Sequence, residues 1–233
     1  MKSEPKKYLM NHLLCFVTSH TRMTCPMPVG AGKAFKVVLT IGSQSSIETQ
    51  MSYGPPSINT ISDDTGTIID SISTRGSEII VLNGNNFPND KKELDTVKFG
   101  STQLGYQTFS IVEKSMPLVV PGTCQIKNSG LSIRCLTLPG VLRDHYWEIT
   151  VAGQSSAKGA LTHYKEPTIV SNQVEVINER MFGELSLFPT KGSTAILKGM
   201  NFGITQSGTA VPGTSIKIIL YPRGDLNNPI EVR

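Results

Sequence analysis

Two stretches decide how this chain is organised: Cys135-Leu-Thr-Leu-Pro-Gly140, and after it His145-Tyr-Trp-Glu-Ile-Thr-Val-Ala-Gly-Gln-Ser-Ser156. Both patterns also occur earlier, as Cys25-Pro-Met-Pro-Val-Gly30 and Phe35-Lys-Val-Val-Leu-Thr-Ile-Gly-Ser-Gln-Ser-Ser46. The cysteine, the glycine and the Gln-Ser-Ser triplet recur at one offset of 110 residues. Chance rarely produces a constant offset through a stretch without gaps. A period this long indicates tandem domains and not a solenoid of short repeats.

The other half of the unit recurs as well. Tyr53-Gly-Pro-Pro-Ser-Ile58 matches Tyr164-Lys-Glu-Pro-Thr-Ile169, and Leu82-Asn-Gly-Asn-Asn-Phe87 matches Leu197-Lys-Gly-Met-Asn-Phe202. The offset drifts from 110 to about 116, as insertions in loops would cause. The repeat therefore predicts three parts: the carboxy-terminal half of a unit at 1–54, a complete unit at 55–165, and the amino-terminal half of a unit at 166–233.

The composition fits small β-domains. Apolar residues make up 38% and charged residues 17% of the chain, which also holds 21 Gly and 14 Pro, so we expect an ordered protein with many turns. The net charge of +4 is mild and dispersed, which argues against a nucleic-acid partner. No stretch reaches the ~20 apolar residues that span a bilayer. We therefore expect membrane contact only through regions outside this chain.

The apolar pattern has the period of two that is typical of half-buried strands. It runs through residues 35–41 and again through their counterparts at 145–151, where the only tryptophan takes the inward phase. Asn83-Gly84 and Gly199-Met200-Asn201 are interpreted as turns after the next strands. Many short strands favour a two-layer β-sandwich. The predicted core residues are Ile80, Leu82, Trp147, Ile149 and Val151.

The four cysteines fall at equivalent places in the repeat. Cys15 and Cys25 are 10 residues apart, and Cys124 and Cys135 are 11 apart. Two of the three possible connectivities would link different units, so the recurrence favours one local disulfide in each. Such a bridge would stabilise its unit by about 3 kcal/mol and implies an oxidising compartment. Zinc ligation is the alternative, but it needs closer cysteine spacing or histidines that recur, and the four histidines do not.

These elements, in this order, resemble the IPT/TIG domain. The motifs are Gly76 before a strand that leads to Asn83-Gly-Asn-Asn-Phe87, then Val97-Lys-Phe-Gly100, Cys135-x-x-x-Pro-Gly140 and Val151-Ala-Gly-Gln-Ser-Ser156. The resemblance covers essentially the whole chain and implies tandem immunoglobulin-like β-sandwiches of the E-set type. It also implies two settings, namely tandem copies in cell-surface or extracellular proteins and single copies beside Rel-type DNA-binding domains. Paired cysteines and tandem copies fit the first setting.

Signals for catalysis or ligand binding are weak. Asp63, Asp64 and Asp70 would attract calcium, but their spacing is not that of an EF-hand loop, so a solvated loop is the preferred interpretation. Arg223-Gly-Asp225 spells an adhesive tripeptide that is short enough to arise by chance. No catalytic triad or carboxylate pair stands in a recognisable motif. We expect no enzyme activity, no cofactor, no metal and no small-molecule substrate.

The sequence thus predicts a structural or adhesive segment of an extracellular or cell-surface protein, in a filament or a long array of repeats. Its partners would be neighbouring copies of the same protein or repeat, arranged head to tail. A ligand-binding receptor ectodomain is the alternative, and a Rel-type DNA-associated module is a third hypothesis that would require reduced cysteines. One observation opposes secretion, since the chain contains no Asn-x-Ser/Thr glycosylation site.

Overall fold

The computed structural model describes residues 15–159, 161–176, 195–203, 218–220 and 230–232. The described chain is all-β, and its helical structure is limited to a short 3₁₀ turn at Lys91–Glu93 that the Asp90 side chain caps. We call residues 15–53 the first segment, residues 57–164 the middle unit, and the described residues from 168 onward the third segment. The strands are β1 Phe16–Ser19, β2 Arg22–Thr24, β3 Phe35–Val37, β4 Thr40–Ile41, β5 Gln44–Ser45, β6 Thr49–Met51, β7 Ser57–Asp63, β8 Ser71–Ile72, β9 Ile79–Asn85, β10 Leu94–Ser101, β11 Gly105–Ile111, β12 Thr123–Asn128, β13 Ser132–Leu136, β14 His145–Val151, β15 Gln154–Ser155, β16 Leu161–Tyr164, β17 Thr168–Val176, β18 Ala195–Met200, β19 Ile218–Leu220 and β20 Ile230–Val232.

The middle unit is one curled sheet of ten strands. Its order is β7-β9-β13-β12-β11-β10-β14-β16-β8, and β15 pairs with β14. Two pairings are parallel, β11 with β12 and β16 with β8, and the others are antiparallel. The β8–β16 pair is held by two main-chain bonds, from the His163 N–H to the Asp70 carbonyl at 2.9 Å and from the Lys165 N–H to the Ile72 carbonyl at 2.8 Å. This pair joins the early part of the unit to its last strand.

Strands from both halves of the curled sheet contribute to one apolar core. Trp147 is fully buried at its centre, with ring centroids 4.4 Å from Phe99 and 5.2 Å from Phe109. The indole N–H donates to the Thr162 hydroxyl at 3.0 Å, so burial leaves this polar atom satisfied. Along β14, buried and half-buried residues alternate, as the period of two predicts. The other residues predicted for the core, Ile80, Leu82, Ile149 and Val151, are each at most 2% exposed.

Asn83-Gly84 is not a turn, as the sequence had suggested, but lies inside β9, and Gly199 lies inside β18 in the same way. A Cβ on Gly84 would sit 1.8 Å from the Ser57 carbonyl oxygen, and one on Gly199 would sit 1.9 Å from that of Thr168. These glycines therefore allow two paired strands to approach closely. The chain turns two residues later, where Asn86 has a φ of 57°.

The flanking segments repeat the strand pairs of the middle unit at equivalent residues. In the first segment Phe35 lies opposite Met51, as His145 lies opposite Thr162 in the middle unit. In the third segment Ile169 lies opposite Gly199, as Ile58 lies opposite Gly84. The first segment thus carries counterparts of β12 to β16, and the third carries counterparts of β7 and β9. Within the described residues, each flanking segment forms only two-stranded sheets.

The predicted strand over residues 35–41 is interrupted. Only β3 and β4 form, and Leu39 and Ile41 are 41% and 67% exposed although the pattern placed them inward. In the middle unit the equivalent strand β14 lies beside β10, which supplies main-chain partners along its length. Within the described residues of the first segment no strand takes the place of β10 beside β3 and β4. The two copies therefore differ in the neighbours of this strand as well as in side chains such as Val37, which stands in the place of Trp147.

Candidate functional site: junctions and exposed faces of the repeated units

The cysteines form two local disulfides, Cys15 with Cys25 and Cys124 with Cys135. Cys124 and Cys135 are direct partners across β12 and β13, with Cα atoms 4.1 Å apart, and belong to the same core cluster as Trp147. None of the described cysteines is free. Two local disulfides at equivalent positions indicate an oxidising environment.

The first junction runs from Tyr53 to Pro56 and is bonded on both sides. Toward the first segment, the Tyr53 hydroxyl donates to the Pro28 carbonyl at 2.8 Å, and its N–H donates to the Gly32 carbonyl at 2.9 Å. Toward the middle unit, the Gln154 side-chain amide donates to the Tyr53 carbonyl at 3.1 Å. Tyr53 is therefore hydrogen-bonded to the first segment and to the middle unit at the same time.

Asn86 holds the same junction from a second point. Its side-chain amide donates to the Pro55 carbonyl at 2.9 Å, and it takes a left-handed conformation in which asparagine is well tolerated. Pro55 and Pro56 restrict the linker further, because proline fixes its own φ and limits the residue before it. The entry to the middle unit is a defined connection and not a free hinge.

The second junction, from Tyr164 to Glu166, uses equivalent contacts. The Tyr164 hydroxyl donates to the Leu138 carbonyl at 3.0 Å, and its N–H donates to the Leu142 carbonyl at 3.1 Å. The Asn201 side chain donates to the Glu166 carbonyl at 3.0 Å, as Asn86 does one unit earlier. Arg143 adds an exposed ion pair with Glu166, which contributes little because water screens it.

Sequence reasoning missed the roles of these junction residues, although their signal was present. Tyr53 and Tyr164 recur at an offset of 111 residues, and Asn86 and Asn201 recur at an offset of 115; each was interpreted only as part of a linker or a turn. Recurrence of a polar residue beside a proline linker indicates a hydrogen bond to that linker. Gln154 belongs to the repeated Gln-Ser-Ser triplet, but it donates its hydrogen bond to Tyr53, at the end of the preceding segment. The residues around Gln154 in the sequence therefore do not indicate this bond.

The acidic residues do not form a shared cation site. Asp63 accepts bonds from the Thr65 hydroxyl and from the main-chain N–H groups of Thr65 and Thr67. The Thr65 hydroxyl, followed by these N–H groups, holds the pKa of Asp63 below its ordinary value, although desolvation partly opposes the shift. Asp64 instead forms ion pairs with Lys127 and Arg134. No group of three potential metal ligands occurs among the described residues, and the tripeptide at 223–225 lies outside them.

His145 is a buried titratable group in the aromatic core. Its ring stacks on Phe99 with centroids 5.0 Å apart and meets the Tyr164 ring edge-on at 5.2 Å. Only 4% of His145 is exposed, and its Nδ1 has no hydrogen-bond partner. Burial lowers the pKa of His145, although a main-chain bond at Arg143 and the charge of Asp144 oppose this shift. The equivalent residue in the first segment is Phe35, which identifies the position as an aromatic packing site.

Both flanking segments expose apolar residues whose counterparts are buried in the middle unit. In the first segment these residues lie on β1, β2 and β4 and just before β4, and in the third they lie on β17 and β18. Apolar side chains at equivalent positions are therefore covered in one copy and open in the others. The pairs, with exposed fractions, are Val17 69% and Ile126 6%, Met23 38% and Ile133 0%, Leu39 41% and Ile149 0%, Ile41 67% and Val151 2%, Ile169 56% and Ile58 8%, and Ile196 39% and Val81 2%.

The described part of the chain has no helix of the length and apolarity that a membrane crossing requires. Comparisons with protein-family models, with curated proteins and with solved structures found no significant match to this chain. The resemblance to IPT/TIG domains therefore rests on the sequence motifs.

Proposed function

We propose that this chain is a structural or adhesive segment of an extracellular or cell-surface protein built from tandem immunoglobulin-like units of the IPT/TIG type. One observation carries the proposal: the two successive junctions use equivalent contacts. A tyrosine bonded to the preceding segment and an asparagine bonded to the linker carbonyl occur at both. A connection that repeats in this way suits a longer array, in which successive units are joined by the same contacts.

The strand order supports the immunoglobulin-like part of the proposal. Strands β7, β9, β13 and β12 are consecutive in the sheet order, β11, β10, β14 and β16 follow them, and strands of both groups contribute buried residues to one core. Two antiparallel layers that enclose a tryptophan and a disulfide are typical of immunoglobulin-like sandwiches. The fold alone does not decide function, so the array argument rests on the junctions.

The proposed role is mechanical, and each unit serves as a rigid bead. Its core, its disulfide and its bonded linker hold it in one shape, and the prolines at 55, 56 and 167 restrict bending between beads. The repeated positions are core, turn and junction residues and none is a reacting group. We therefore expect no catalytic activity and no cofactor. The partners are neighbouring copies of the same repeat, in head-to-tail order.

The oxidising environment that the two disulfides indicate supports the proposed extracellular location. Peptide mapping without reductant, on protein taken from cells, tests it. Trypsin should release residues 115–127 linked to residues 135–143, because Lys127 and Arg134 lie between the two cysteines. A protease added outside intact cells should also remove the chain. Free thiols at all four cysteines in a chain protected from that protease would contradict the proposal and favour an intracellular module.

A further inference from the structure

One side of β11 has no partner strand over most of its length. Residues 105–109 pair with β10, but β12 pairs with β11 only at Ser110 and Ile111. No strand of the described chain lies along residues 105–108 on the side away from β10. An open edge of this kind presents a row of main-chain donors and acceptors to an extended segment that approaches it.

The main-chain groups at this open edge are those of Tyr106 and Thr108. The Ser110 N–H donates to the Gly122 carbonyl at 2.8 Å, on the β12 side, so it points away from β10. Successive residues of a strand direct their main-chain groups to alternate sides. Tyr106 and Thr108 therefore direct two N–H and two carbonyl groups away from β10 as well.

Residues 120–122 turn away from this edge because their own polar groups are used elsewhere. If the parallel pairing continued past Ser110, the Gly122 N–H and the Val120 carbonyl would bond to Thr108. Instead, the Gly122 N–H donates to the Leu136 carbonyl at 2.9 Å. The Val120 carbonyl accepts from the hydroxyl of the residue at 123 at 2.7 Å. Bonds within the complete middle unit thus leave the edge open.

The usual protections of an edge strand are missing from β11. Native sheets guard open edges with lysine, proline or bulges, but the strand contains no charged residue and no proline from Gly105 to Ile111. Its pairing with β10 is regular. Apolar side chains are exposed on both sides of the open stretch. Leu104 precedes it and is 42% exposed, and Val119 and Val120, just before the turn into β12, are 72% and 59% exposed.

We propose that a second copy of this chain covers this edge, with the two β11 strands antiparallel about a two-fold axis at Gln107. The open groups fix the register, because Tyr106 of each copy then lies opposite Thr108 of the other and exchanges two hydrogen bonds with it. An aromatic residue opposite a β-branched one is a favourable cross-strand pair. The Lys158 ammonium lies over the Tyr106 ring, 5.8 Å from its centroid, where the ring itself attracts it.

This self-complementary register selects a second copy over a different partner. Only about four residues of each strand meet, so the contact belongs with weak, transient interfaces. It would join chains side by side, whereas the proposed array joins units end to end. The inference concerns the complete middle unit, goes beyond the proposed function and does not depend on it.

The test introduces a thiol into the whole chain, whose four native cysteines are all bonded. Gln107→Cys places two thiols at the axis, where the Cα atoms are about 4.5 Å apart and a disulfide can form. Thr108→Cys is the matched control, because that residue is also exposed but its two copies would lie more than about 7 Å apart. In a glutathione redox buffer, Gln107→Cys should yield at least about tenfold more disulfide-linked dimer on non-reducing gels.

Charge pairs test the register in the Gln107→Cys chain. Tyr106→Lys combined with Thr108→Lys sets two lysine pairs opposite each other across the axis. This combination should lower the yield of linked dimer about tenfold. Tyr106→Lys combined with Thr108→Glu sets a lysine opposite a glutamate at both places, and it should restore the yield. Circular dichroism and the Tm of each variant should match the wild type, since all three positions are exposed.

Three results would each overturn the proposal. The first is a yield of linked dimer for Gln107→Cys no greater than for Thr108→Cys, which would also be seen if chains associated through another face. The others are a lysine–lysine chain that links as well as its parent and a lysine–glutamate chain that links no better than the lysine–lysine chain. All three would leave the tandem-array function standing, because that function is tested by the disulfide map and by protease access.

Discussion

Replacement of Trp147 by alanine should be the most damaging single change in the middle unit. The side chain is fully buried, two aromatic rings lie within 5.2 Å of it, and its N–H bonds to the buried Thr162 hydroxyl. Loss of a buried tryptophan costs about 3–5 kcal/mol, and an unsatisfied Thr162 hydroxyl adds about 1 kcal/mol. The total loss is about 4–6 kcal/mol, and at about 4 °C per kcal/mol for a unit of this size the Tm should fall by about 16–24 °C.

The assay is calorimetry or circular dichroism of the full chain, because the variant lacks its only tryptophan and gives no indole fluorescence. Trp147→Phe should keep most of the packing and lose the hydrogen bond, so its effect should be smaller. Val37→Ala is the matched control at the equivalent position of the first segment, and because Val37 is only half-buried it should cost about 1 kcal/mol or less. An unchanged main transition in Trp147→Ala would show that this packing does not stabilise the unit.

Three further outcomes are expected. The pKa of the buried His145 is lowered, so below pH 6.5 the unfolded chain binds a proton at this residue that the folded chain does not. The free energy of unfolding should therefore decrease as the pH falls from 6.5 toward the folded-state pKa. Urea unfolding curves at several pH values should show this decrease, and His145→Phe should reduce it. Gly84→Ala should cost at least about 2 kcal/mol in the same assay, because its Cβ would sit 1.8 Å from a carbonyl oxygen. Gly54→Ala should cost about 1 kcal/mol, since its Cβ would sit 2.8 Å from the Asn86 side-chain nitrogen and would disturb that group's hydrogen bond to the Pro55 carbonyl. Replacement of Cys124 and Cys135 together by alanine should remove about 3 kcal/mol or more from the middle unit, and an unchanged unfolding midpoint would contradict the stabilising role of this bridge.

The sequence was informative wherever a single repeat carries its own signal. Recurrence placed Cys124 near Cys135, and the period of two placed Trp147 on the inward side of its strand, where the structure also has them. Both features depend on residues close together in the chain. The all-β class followed from the same local patterns.

Features that depend on distant neighbours could not be predicted in this way. Gly84 has the sequence context of a turn, and only its closeness to Ser57 shows why a strand contains it. Leu39 has the pattern of a core residue, yet its burial depends on a strand that does not lie beside it in the described residues. The bond between Gln154 and Tyr53 spans 101 residues. In each case the missing information was which segment lies alongside.

The parallel pair of β8 and β16 decides how the middle unit would respond to a pulling force. In the proposed array, tension would enter before β7 and leave after β16; once β7 transmits it, the force would draw β8 toward its amino end and β16 toward its carboxyl end. Parallel strands loaded in this way slide lengthwise past each other, and the bonds from His163 to Asp70 and from Lys165 to Ile72 share the load. A hairpin pulled from its open end would instead unzip one bond at a time. In the proposed array, a unit held by this contact should therefore keep its length until both bonds break together.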